Sequence, residues 1–153
     1  MNFRIFLTLL AIATFVSTNA QNAKIKKKMA YVDDVLYLDL QECKAVHCVF
    51  RSLSGKDLLV LNFESFQQRH PHASHRNYKG PEMQTVHYVI IKFLDFELEF
   101  EAHFSKKSLV EAMHKEGLVD GEGNISEEAA RKFARKYGKD ISGNRPLEII
   151  ITD

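Results

Sequence analysis

Phe96-Glu97-Leu98-Glu99-Phe100-Glu101-Ala102-His103-Phe104 alternates apolar and polar side chains without a break. Successive residues of a β-strand point to opposite faces, so this pattern predicts a half-buried strand with its phenylalanines inward and its glutamates in water. The run before it, Thr85 to Phe93, supplies the neighbouring strand. A two-residue turn at Leu94-Asp95 would set Phe93, Ile91 and Val89 opposite Phe96, Leu98 and Phe100. On the other face Lys92 would meet Glu97, Ile90 would meet Glu99 and Tyr88 would meet Glu101. A one-residue slip would drive glutamates into the core, so burial selects the face. In this register His87 falls on the inner face opposite Ala102, as a semi-buried histidine.

Upstream, three more strands are predicted: Val35 to Leu40 after a turn at Asp33-Asp34, Val46 to Leu53 before the turn-forming Ser54-Gly55-Lys56-Asp57, and Leu58 to Phe66. Leu59, Leu61 and Phe63 share one face of the last, with Asn62 and Glu64 on the other. Gln67 to Glu82 reads as a polar loop. Residues 21–29, with Lys24, Lys26, Lys27 and Lys28, read as a flexible basic lead-in. Downstream, Ser105 is a suitable N-cap for a helix carrying Leu109, Val110 and Met113, with Gly117 as its stop. A second helix starts near Asn124 to Ser126, places Glu127 and Glu128 at its positive end, and buries Ala130, Phe133, Ala134 and Tyr137. Leu147 to Ile151 is a short apolar run that either adds an edge strand or is loosely held. Strands first and helices last predict an α+β domain over residues 30–153. Its expected form is a curved antiparallel sheet of about five strands with two C-terminal helices packed on one face.

Ahead of this domain, Arg4 and the apolar run Ile5 to Val16 precede Ser17-Thr18-Asn19-Ala20. A basic start, a short apolar run and small residues at Thr18 and Ala20 form a secretory leader, residues 1–20, cleaved after Ala20. The expected destination is the periplasm or the extracellular space, with no transmembrane segment once the leader is gone. Lys and Arg total 21 against 20 Asp and Glu. That balance argues against general nucleic-acid binding, which needs a concentrated basic surface. Cys43 and Cys48 would meet an oxidising compartment. In a continuous strand they would stand ~16 Å apart and could not bridge. Across a turn at Lys44-Ala45 they can form a disulfide.

Three features together carry a resemblance: Gln21 directly after an alanine-ended leader, Tyr-Val-Asp-Asp at 31–34, and a late helix pair. The pair is marked by Ser-Leu-Val-Glu-Ala-Met at 108–113, Gly-Leu-Val-Asp-Gly-Glu-Gly-Asn-Ile-Ser-Glu-Glu at 117–128 and Lys-Tyr-Gly at 136–138. In these the chain resembles a loose group of small, exported, uncharacterised proteins of Bacteroidota-type bacteria. The resemblance implies a Gram-negative periplasmic or secreted setting and carries no activity or site residues.

His70, His72 and His75, within His70-Pro71-His72-Ala73-Ser74-His75, can supply imidazole nitrogens to zinc or copper. Glu97, Glu99 and Glu101 form a carboxylate row with ~7 Å steps, the arrangement a hydrolase could use and also the ordinary solvated face of a sheet. Asp120-Gly121-Glu122-Gly123-Asn124 lacks the glycine and the bidentate glutamate of a calcium loop, which leaves an acidic connection between helices. His47 and Cys48 point to opposite faces of a strand and cannot activate one another. No nucleophile elbow and no phosphate-binding glycine loop is present. The sequence therefore points to a non-enzymatic exported domain that binds a protein or a cell-envelope component, with no catalytic residue and no cofactor assigned. Metal capture by the histidine loop is the alternative, and a hydrolase on the glutamate face the third.

Overall fold

The computed structural model describes residues 22–144; the predicted leader, its predicted cleavage site and Leu147 to Ile151 lie outside them. Seven strands, β1 Ala23–Lys26, β2 Met29–Val32, β3 Val35–Gln41, β4 His47–Arg51, β5 Asp57–Arg69, β6 Met83–Phe93 and β7 Leu98–Ala102, form one antiparallel meander in chain order. Two helices follow, α1 Lys106–Lys115 and α2 Glu127–Tyr137. The class is α+β.

The strand count is a correction. What reads as a lysine-rich lead-in is β1 and the start of β2. Lys27 and Lys28 take φ of 48° and 67°, Asp33 and Asp34 φ of 50° and 65°. Both central residues of each turn are therefore left-handed, the geometry that matches strand twist in a two-residue hairpin. Aspartate tolerates that region; lysine gives no sign of it. Ala23 is buried beside Val32, and Lys24 pairs with Asp34 at 2.9 Å.

Inward-facing Leu38, Leu40, Cys48, Phe50, Leu59, Leu61, Val89, Ile91 and Phe93 form the floor of one core. α1 packs over β1 and β2, and α2 over β7. Leu109, Val110, Met113, Ala130 and Phe133 close that core from above. Ser105 caps α1 through Ser108 N–H, Gly117 ends it at φ +58°, and Ser126 caps α2 through Ala129 N–H. Aromatic contact joins the layers, with Phe100 edge-on to Phe133 at 6.2 Å and Phe104 stacked on it at 6.3 Å. Between β2 and β3 the register jumps from Ala30↔Leu38 to Tyr31↔Leu36, leaving Tyr37 as the extra residue of a bulge. A bulge re-aims a side chain, and Tyr37 meets His114 of α1 edge-on at 5.1 Å.

The β6–β7 hairpin keeps the predicted faces but not the predicted partners. Phe93 pairs with Leu98, Ile91 with Phe100 and Val89 with Ala102, a shift of two residues. The turn spans residues 94–97, so Phe96 and Glu97 leave the strand and enter the turn. Lys92 faces Glu99 and Ile90 faces Glu101.

Candidate functional site

β5 and β6 are longer than their neighbours, at 13 and 11 residues. β4 pairs with β5 only as far as Asn62, and β7 with β6 only from Val89 onward. The remainder, Glu64 to Arg69 paired with Met83 to Tyr88, runs on as a two-stranded arm. Its amphipathic sense reverses. Within the sheet Leu59 and Leu61 are buried on the helix side, whereas in the arm the buried residues, Phe66 and Tyr88, lie on the opposite side. There they pack with Ile141, and Val86 and Ile90 flank them. The chain reaches that side by passing β7, where Lys139 N–H donates to Glu101 O at 2.8 Å. The Glu101 carboxylate then accepts Ile141 N–H at 2.8 Å and Ser142 N–H at 2.7 Å.

On the helix side, the root of the arm meets the start of α1 and the turn before β4. A trough of about 400 Å³ opens there, lined by Val46, Phe63, Ser65, His87, His103 and Phe104 among others. His103 Nδ1–H donates to the backbone oxygen of His87 at 3.0 Å. A carbonyl only accepts, so this bond places the proton on Nδ1 and leaves Nε2 as an acceptor. Lys106 Nζ lies 5.4 Å from the Phe63 ring centre and donates to Lys44 O at 3.2 Å. The wall at Ala45 and Val46 belongs to the turn closed by the bonded pair Cys43–Cys48 and by Lys44 N–H donating to His47 O at 2.7 Å. Aromatic rings, an imidazole with a fixed acceptor and a serine thus share one concave surface, the usual make-up of a small ligand pocket.

Of the residues singled out in the sequence, few come together. His87 is exposed and paired with Ser65, not semi-buried opposite Ala102, because the helices do not extend over the arm. His70, His72 and His75 sit at the tip of the arm, with ring centres 5.6 Å apart from the first to the second and 5.0 Å from the second to the third. His70 is stacked on Tyr78 at 4.6 Å, and its Nδ1 accepts His72 N–H at 3.2 Å. Among the described residues no group of three or more His, Cys, Asp or Glu side chains converges as a metal site would. The glutamate row is not continuous, since Glu97 is in the turn, Glu99 is exposed and Glu101 holds two amides. His47 bonds Asn62 Oδ1 at 3.0 Å on β4, away from Cys48, which is buried on the inner side. Asp120 accepts Glu122 N–H at 2.9 Å and Asn124 N–H at 2.8 Å, a self-contained turn.

Two further crevices are smaller. One of about 220 Å³ lies where Leu118 meets α2. The other, about 300 Å³, is lined by Tyr37, Ser52 and the 119–123 connection. Tyr37 hydroxyl is buried near the Val119 backbone without a well-formed hydrogen bond, and burial pushes its pKa up to about 12. No described helix is long and apolar enough to cross a membrane.

No family model matches this chain, and neither the curated proteins nor the solved structures contain a significant match.

Proposed function

We propose that the protein is exported and acts by binding a protein or cell-envelope component in the trough at the arm root, not by catalysis. The observation that supports this most is the trough itself. It joins the Phe63 and Phe104 rings to a histidine held in one tautomer, and two chain segments border it, the Cys43–Cys48 turn and the Ser105 cap of α1. Ligands bind where a few fixed polar groups interrupt an apolar concavity. Panning a random peptide display library against the purified protein tests the reading. Enriched peptides are expected to bind the parent and to lose at least ~10-fold in affinity for Ser65→Trp, whose indole fills the trough. Failure to enrich any peptide, or equal binding to the filled variant, contradicts it.

A second reading, zinc or copper capture at the arm tip, draws support from the close succession of the three imidazoles. Titration with zinc and copper, before and after replacing His70, His72 and His75 by alanine, decides it. Tight binding that disappears with the substitutions would favour metal capture over the trough.

A further inference from the structure

We infer that the outer edge of β5 in the arm, centred on Gln67 and without a strand partner among the described residues, pairs with the same edge of a second copy of this chain. Phe63 N–H donates to Val46 O at 2.9 Å, which directs the main chain of odd-numbered β5 residues toward the β4 side. His70 N–H donates to Glu82 O at 2.7 Å, which directs even-numbered residues toward β6. β4 ends its pairing at Asn62, so the N–H and C=O groups of Ser65, Gln67 and Arg69 face outward with no main-chain partner among the described residues. Such a row is a template for another strand, and a two-stranded ribbon on its own is marginal in water.

The sequence along this edge is complementary to itself. An antiparallel two-fold through Gln67 sets Ser65 opposite Arg69, Gln67 opposite Gln67, Phe66 opposite Gln68 and Glu64 opposite His70 of the second copy. No like charges meet directly. The outward groups face one another, so each of the three odd-numbered pairs can exchange two main-chain hydrogen bonds. His70 Nδ1 accepts the His72 amide, which puts the ring proton on Nε2. That N–H is a donor for the Glu64 carboxylate across the axis. The antiparallel arrangement also places the two sheet bodies at opposite ends of the joined arms, whereas a parallel one would drive them into each other. One short edge covers less than the ~1,000 Å² of a stable interface, so the dimer belongs to the weak, concentration-dependent class.

Sedimentation of the purified protein up to ~1 mM, the range in which weak dimers populate, tests the pairing. The parent is expected to form a reversible dimer. Gln67→Pro removes an outward N–H that β6 does not use, so it leaves the arm's own ladder intact, and it should weaken association at least ~10-fold. Glu64→Lys should also weaken it, and Glu64→Lys combined with His70→Glu should restore it. A parent that stays monomeric throughout, or a dimer unchanged by both Gln67→Pro and Glu64→Lys, overturns the proposal.

Discussion

Glu101 is the residue on which the C-terminal turn hangs. Its carboxylate accepts the amides of Ile141 and Ser142 at the point where Ile141 enters the Phe66–Tyr88 cluster. Glu101→Ala strands two partly buried donors, and an unmet buried donor costs ~1–3 kcal/mol. Urea unfolding should show a loss in that range, with most of it recovered in Glu101→Gln, which keeps an acceptor. Glu116 gives a pH signature. Hydrogen bonds from Lys136 Nζ at 2.6 Å and Tyr137 hydroxyl at 3.1 Å hold its carboxyl below the usual 4.5. A lowered carboxyl pKa favours the folded state above the unfolded value, and that contribution fades as pH falls through the folded one. The stability gap between the parent and Glu116→Gln should therefore be present at neutral pH and shrink once the medium is more acidic than ordinary glutamate. A gap that widens on acidification would contradict the assignment. Tyr37→Phe should be neutral or slightly stabilising in thermal unfolding, since it removes a buried hydroxyl that has no well-formed bond.

At the scale of elements, the alternation from Phe96 to Phe104 identified the correct face of β7 but not its partners. A period of two is blind to a shift of two, and only the turn length separates the two registers. The four-residue turn draws Phe96 out of the ladder while keeping its ring 6.4 Å from Phe93, so burial alone does not distinguish the alternatives. The helices were legible because Ser105, Gly117 and Ser126 are side chains with a direct role in starting or ending a helix. β1 was hidden because lysines at positive φ carry no turn signal. The trough was hidden for a different reason: it joins residues from the turn before β4, from β5 and β6, and from the segment leading into α1, which no local pattern links. The disulfide turn is expected to add to stability through loop closure. For a sequence separation of 5 the chain-entropy relation gives about 2 kcal/mol, so Cys43→Ser with Cys48→Ser should lower the urea midpoint accordingly.

For the whole molecule, the proposed export and the bonded Cys43–Cys48 turn make a joint prediction. Mass spectrometry of the protein recovered from its native compartment should find Gln21 as the first residue and Cys43 and Cys48 without free thiols; retention of Met1 would remove the leader from the account. The proposed binding surfaces depend on a single architectural feature, that β5 and β6 run on past the sheet as an arm whose β5 edge has no main-chain partner among the described residues. Residue-resolved amide hydrogen exchange, at a concentration low enough to keep the protein monomeric, tests this most directly. Ser65, Gln67 and Arg69 should exchange quickly while Phe66, Gln68 and His70, which alternate with them, are protected by β6. Equal protection of both sets would mean that the edge is already covered, and equally fast exchange would mean that the arm is not formed.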